Sequence, residues 1–187
     1  MIHNLRKVFY GKNIYRTAIP TVADKEGFKY LKNLGIKKVI DLRSMAEVEA
    51  KPFAYSEFFK YKNLPLPDFE RDSETMEEYY LRLFSQKETL REILKEIEGE
   101  DVLYGCFLGK DRTGIVSAIL HAKIRLPKED ILADYAKSTK GLRNMDINPL
   151  WKVANPDILE DSFDIIRKSF GGVRRYLAVL EQKKSQR

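Results

Sequence analysis

One stretch of this 187-residue chain has the makings of a reactive loop. Val102 to Gly114 reads VLYGCFLGKDRTG: a short apolar strand, a glycine-bearing turn and the opening of an apolar helix. Backbone N–H groups in such a turn, with a helix N-terminus behind them, form a cradle for an anion. Two chemistries compete for it. A nucleotide loop needs four residues between its glycines, then Gly-Lys and a hydroxyl residue for magnesium. Gly105 and Gly109 are separated by three residues, and Asp111 stands in the hydroxyl's place, where its charge would repel phosphate. That spacing excludes a nucleotide loop.

The other chemistry is a cysteine-based phosphate loop. Five residues separate Cys106 from Arg112, with Gly109 among them. In that arrangement the amides of Phe107, Leu108, Gly109, Lys110, Asp111 and Arg112 wrap phosphate oxygens, while the Arg112 guanidinium grips two of them. Cys106 at the loop base is favoured as a thiolate by these dipoles and this charge. A thiolate attacks phosphorus and splits the reaction into phosphoryl-cysteine formation and hydrolysis. A lone cysteine is more often a small buried hydrophobe, and one Cys and one Arg at this separation can arise by chance. A packing cysteine, however, does not require the string Gly109-Lys110-Asp111-Arg112-Thr113-Gly114 between a strand and a helix.

The rest of the chain must hold this loop. Asn13–Ile19 alternates as a strand and Pro20 closes it; Asp24–Leu34 has helical spacing with Gly35 at its end. Lys37–Arg43 reads as a buried strand, and Ser44-Met45-Ala46-Glu47 carries a capping box for a helix ending near Lys51-Pro52. Lys60–Leu66 is a weaker strand before the turn Pro65-Leu66-Pro67-Asp68. Ser73–Glu98 is helical in period, broken near Ser85 and stopped by Gly99. Asp101–Cys106 is the next strand, and Thr113–Arg125 a strongly apolar helix. Pro127 opens another helix to about Ser138; Asn155-Pro156 caps one reaching Phe170, and Gly171-Gly172 separates it from a last helix. Strands alternating with helices predict an α/β fold: a mostly parallel central sheet flanked by helices, with a helical C-terminal third, in one domain spanning 1–187.

Composition narrows the partners. Lys and Arg total 34 against 28 Asp and Glu, a net charge of +6, but the signs are mixed and runs such as Glu74–Glu78 and Lys183-Lys184 are short. That pattern reads as a solvated surface rather than a nucleic-acid footprint, and it favours an anionic substrate. A single cysteine excludes an intrachain disulfide and a multi-cysteine metal site, and it suits a reducing compartment. MIHNLRKVFY lacks the apolar core of a signal peptide, and no run approaches the roughly 18 apolar residues of a membrane span. These features predict a soluble, cytoplasmic protein that needs no metal or other cofactor, binds no nucleic acid and inserts in no membrane.

Cys106-Phe107-Leu108-Gly109-Lys110-Asp111-Arg112-Thr113-Gly114 resembles the signature loop of the protein-tyrosine-phosphatase superfamily. The Gly-Lys-Asp-Arg-Thr form is typical of its bacterial tyrosine and dual-specificity members that also accept phosphoinositides. The resemblance continues through Ile14–Thr17, Gly35–Arg43 (GIKKVIDLR), Asp134-Tyr135 with Ser138, and Phe170-Gly171-Gly172 to Tyr176-Leu177, so it covers nearly the whole chain. It implies Cys106 as nucleophile and Arg112 as the residue that binds phosphate and the transition state. It also implies Thr113 as a hydroxyl easing thiolate departure, and Lys110 as a rim cation for multiply phosphorylated head groups. The leaving oxygen needs a proton, and two carboxylic acids can supply it: Asp111 within the loop, or Asp68 after Leu64-Pro65-Leu66-Pro67. Asp41, Arg43 and Arg16 read as structural charges, and His121 as a helix-face residue. Gly105 is a departure, since the family places histidine there, and it predicts weaker thiolate stabilisation. The implied function is a phosphotyrosine phosphatase, with phosphoserine and phosphothreonine as further substrates. The alternatives are a phosphoinositide or inositol-polyphosphate phosphatase and a catalytically impaired phosphate-binding module.

Overall fold

The computed structural model describes residues 2–8, 13–98 and 101–182. Strands β1 (Arg6–Lys7), β2 (Ile14–Ala18), β3 (Lys38–Asp41), β4 (Lys60–Asn63) and β5 (Val102–Cys106) form one sheet in the order β1-β2-β5-β3-β4. Only β1 runs antiparallel, against β2; the other pairings are parallel, with Ala18 opposite Cys106 and Asp41 opposite Gly105. A strand flanked on both edges and covered on both faces reads as a continuous apolar run, and β5 is buried at all its positions.

The pleat separates two apolar clusters. Val102, Tyr104 and Cys106 face the larger one with Ile40, while Leu103 and Val39 face the smaller one. The helices are α1 (Lys25–Asn33), α2 (Met45–Ala50), α3 (Met76–Ser85), α4 (Lys87–Ile97), α5 (Asp111–Lys123), α6 (Lys128–Gly141), α7 (Pro149–Lys152), α8 (Pro156–Phe170) and α9 (Val173–Glu181). Helix α5 is buried from Arg112 to His121, on every side, which makes it the axis around which α3, α4, α6 and α9 pack. On the other face Leu31 of α1 meets the aromatic residues Phe53, Tyr55 and Phe59.

The mixed α/β order with a helical final third matches the sequence expectation. Asp24, Ser44 and Asn155 cap α1, α2 and α8 as their types predict. Thr75 adds a second capping box, so α3 starts after Ser73 rather than at it, and Gln86 divides α3 from α4. Helix α5 begins two residues before Thr113, so the loop's own Asp111 and Arg112 form its first turn. Helix α6 runs past Ser138 to Gly141. The two-residue β1, a 3₁₀ turn at Ser56–Phe58 and α7 carry too few residues for a periodic signal. Gly99 and Lys183-Lys184 lie outside the described residues. No helix among the described residues is long and apolar enough to cross a membrane.

Candidate active site

The loop between β5 and α5 doubles back onto β2. A Cβ on Gly105 would lie 2.3 Å from the Thr17 carbonyl oxygen, and one on Gly109 would lie 2.3 Å from both the carbonyl carbon and oxygen of Thr17. Gly109 also takes φ +61°, so both close approach and backbone conformation select glycine there. Histidine at 105 would therefore collide with the neighbouring strand. The glycine answers a packing demand that the sequence comparison did not reveal.

Side chains behind the loop engage its carbonyls. Arg16 Nη2 donates to Gly109 O at 2.9 Å, and Asn4 Nδ2 donates to Gly109 O at 2.7 Å and Leu108 O at 3.1 Å. Arg16 also binds Asp134 at 3.1 Å, which Arg6 holds at 3.0 Å. With those carbonyls taken from behind, none of the N–H groups of Phe107, Leu108, Gly109, Lys110, Asp111 or Arg112 donates to any described residue. The first N–H groups of a helix have no partner within it, and together with those of the preceding turn they leave six donors open to an external acceptor.

At the front, buried Arg112 donates through Nη1 and Nη2 to the two oxygens of Glu47, at 2.6 and 2.8 Å. Asp68 Oδ1 lies 3.4 Å from the same Nη2, on a side chain that is 59% exposed. Burial opposes the guanidinium charge, but the Glu47 hydrogen bonds and nearby negative groups overcome it and raise the Arg112 pKa. Burial likewise pushes the Glu47 carboxyl up, and Arg112 more than reverses that, leaving it below its ordinary value. Of the five N–H donors of a guanidinium, Glu47 takes two and Asp68 stands beside Nη2, so Nε–H and the second N–H of Nη1 are those without a carboxylate beside them.

Cys106 is buried at the base of the loop with its thiol unbridged. It shares a cleft of about 400 Å³ with Phe107, Leu108, Asp111 and Arg112. The Asp111 carboxylate is fixed by α3 and α6: Tyr80 Oη donates to Oδ1 at 2.7 Å, Tyr135 Oη lies 3.4 Å from it, and the two hydroxyls bond each other. Burial raises both phenols well above their ordinary pKa, so they remain neutral donors. The Thr113 hydroxyl is buried without a hydrogen-bond partner among the described residues.

Lys110 departs from the sequence reading. Instead of reaching from the rim, its ammonium is buried and donates to the carbonyls of Trp151 at 2.9 Å and Val153 at 3.0 Å. It ties the loop to α7. Asp41 and Arg43 form a fully buried pair at 2.6 Å, as strand-end charges should. His121 sits inside α5 with Nε2 3.3 Å from Val8 O. Glu47, Tyr80, Tyr135 and Asn4 are site residues that sequence reasoning missed. Glu47 was visible only as the capping-box residue of α2, a role that already explains it: the oxygen that meets Arg112 Nη1 also accepts from Ser44 N at 2.8 Å.

A central parallel strand, a turn carrying one cysteine and one arginine, and a buried helix behind them make up a mixed α/β domain. The chain belongs to the tyrosine phosphatase family, which it matches over residues 5–187. The triple specificity protein phosphatase PtpB of Mycobacterium tuberculosis is 26% identical to it, across 81% of this chain and 67% of that protein. The chain spans between 44% and 67% of the length of such curated relatives. Among solved structures it shares its fold with P. aeruginosa TpbA in complex with pTyr, at 18% identity and TM-score 0.51, over 90% of this chain and 86% of that one. It also shares it with the core catalytic domain of the S. cerevisiae PP-IP phosphatase SIW14, at 15% identity and TM-score 0.52, over 94% of each chain.

Proposed function

We propose that the protein hydrolyses phosphomonoesters of tyrosine, and of serine or threonine, through a phosphoryl-cysteine at Cys106, as one catalytic unit spanning 1–187. The observation that carries this reading is that Cys106 and buried Arg112 share one cleft with a loop whose six amides have no acceptor among the described residues. Donors fixed in advance where charge develops stabilise the transition state without reorganising.

In the first step Cys106 Sγ bonds to phosphorus, the ester P–O bond breaks, and the leaving oxygen takes a proton from Asp111. In the second, Asp111 removes a proton from water as its oxygen bonds to phosphorus. The P–S bond then breaks, the sulfur leaves as thiolate, and the unpartnered Thr113 hydroxyl donates to it. Asp111 suits the acid role better than Asp68 because Tyr80 fixes Oδ1 inside the cleft, where Lys110 Nζ stands 3.7 Å from Oδ2, whereas Asp68 is exposed and leans on Arg112. The covalent route uses no metal or cofactor. A thiol kept reduced for this purpose suits the cytoplasm.

Two alternatives carry less weight. A multiply phosphorylated inositol head group would use a free Lys110, but that ammonium is engaged by two carbonyls. An impaired binding module was motivated by Gly105, which packing against Thr17 already accounts for. The test is turnover of an aryl phosphate by the wild type and by Cys106→Ser, with acid quench and mass spectrometry to capture phosphorylated Cys106. The expected loss in the variant is at least about 10⁴-fold, judging from the non-additive collapse seen when nucleophiles are removed. Equal rates would sink the reading.

A further inference from the structure

We propose that Arg71 and Trp151 form a second anion-binding position at the mouth of the cleft, which takes an acidic side chain flanking phosphotyrosine in a protein substrate. The proposal rests on the phosphatase reading and names its substrate class.

The Arg71 guanidinium carbon lies 3.9 Å from the centroid of the Trp151 ring, and both side chains line the cleft that holds Cys106 and Arg112. Stacking orients a guanidinium while leaving its in-plane N–H donors open. The platform itself is anchored, since Lys110 of the loop holds the main-chain carbonyls of Trp151 and Val153. Position at the second site is thereby linked to position at the first.

Arg71 has no carboxylate within salt-bridge distance among the described residues. The nearby acids are committed elsewhere: Arg82 binds Glu74 at 2.6 Å and approaches Glu70 at 3.7 Å. Arg71 is thus a preoriented cation beside the phosphate site, without the neutralising partner that Arg82, Lys62 and Lys128 each have.

The surroundings favour a peptide. Leu150 and Val153 are 80% and 55% exposed at the same mouth, and Phe69 lines it too, which suits the apolar parts of flanking residues. A polyphosphorylated ring would demand several open cations. With Lys110 occupied, Arg71 is, among the described residues, the one open cation that the cleft adds to Arg112, enough for a single further carboxylate.

The experiment compares kcat/KM for two phosphotyrosine peptides that differ only in one flanking position, Glu or Gln. Wild type is expected to favour the Glu peptide about five-fold, as for a partly screened ion pair, and through KM rather than kcat. In Arg71→Ala the ratio should fall to near one, and in Arg71→Glu it should invert in favour of a Lys-flanked peptide. Each ratio is taken on one variant, so a general loss of activity cancels. Turnover with no acidic preference in wild type, or a preference that survives Arg71→Ala, overturns this inference alone. An inositol bisphosphate preferred over the acidic peptide, with that preference lost in Arg71→Ala, overturns the peptide assignment. Absence of turnover on every phosphorylated substrate overturns the phosphatase reading and this inference with it.

Discussion

Two buried arginines grip the same loop from opposite sides. Arg16, at 1% exposure, binds the main-chain carbonyls of Gly109 and Lys110 and the carboxylate of Asp134. Arg112, at 3%, binds only side-chain carboxylates, Glu47 and Asp68, delivered by two separate segments. Burial and charge are nearly equal, so neither marks which arginine does chemistry. The nature of the partner does. A main-chain carbonyl cannot be exchanged without dismantling the loop, whereas a carboxylate on a neighbouring segment is an oxyanion that a phosphate can join or displace. By that criterion Arg16 belongs to the loop's own framework, and Arg112 is the arginine that the proposed mechanism can use.

Substituting the two arginines is the strongest way to break that distinction. Arg112→Lys removes the planar fork and is expected to lower kcat/KM for an aryl phosphate by about 10³-fold while moving the thermal midpoint by no more than a few degrees. Arg16→Ala removes the buried arginine from Asp134, which keeps only Arg6 at the loop's back, and takes one of two side-chain donors from Gly109 O. Breaking a buried pair costs about 3–5 kcal/mol, which for a chain of this size lowers the midpoint by roughly 10 °C. Calorimetry and steady-state turnover on both variants check this. If both lose activity and stability in the same proportion, front and back are not separate devices.

A smaller effect is expected at Gly105, which lies where the loop's parent strand meets β2. Restoring the family's histidine by Gly105→His should destabilise by about 1–3 kcal/mol, as overpacking against a fixed backbone does, and should not raise turnover. Denaturant unfolding together with aryl-phosphate kinetics reads both. A variant with unchanged stability and higher kcat would show instead that β2 yields and that the glycine limits the chemistry.

What the sequence disclosed follows from how local each signal is. Strands β2, β3 and β5 and helices α1, α2 and α8 were legible because apolar runs and capping residues act within a few positions. The Cys106–Arg112 loop could be proposed from sequence because its residues lie in one continuous string. The residues that complete it were not. Glu47 lies 65 positions from Arg112 and Asn4 lies 105 from Gly109, and no spacing rule spans such distances. Tyr80 and Tyr135 had the positions of ordinary core aromatics, and their hydroxyls acquire meaning only where α3 and α6 meet over Asp111. Lys110 was misjudged for the same reason: its partners are main-chain carbonyls of α7 and the residues after it, a segment too short to announce itself.

The smallest expected effect separates the two sides by pH. Behind the loop, burial holds the His121 imidazole below its ordinary value of 6.5, with Arg16 and Arg6 acting in the same direction and Asp134 against them. The folded chain therefore binds fewer protons at this site than the unfolded chain once pH falls below that value. Stability that is present above it is lost as pH drops. In front, Glu47 is held below its ordinary 4.5 because Arg112 outweighs the effect of burial, so its contribution is present above 4.5 and fades only in stronger acid. Denaturant unfolding at about pH 7, about pH 5.5 and about pH 4 should place the two losses in that order. His121→Gln should flatten the upper step and leave the lower one, and Glu47→Gln should do the reverse. Because Glu47 is partly exposed, solvent screening keeps its step well below the loss expected for Arg16→Ala. One step removed by either substitution would mean that the two sides of the loop titrate as a single network, and the division between the two arginines would have to be withdrawn.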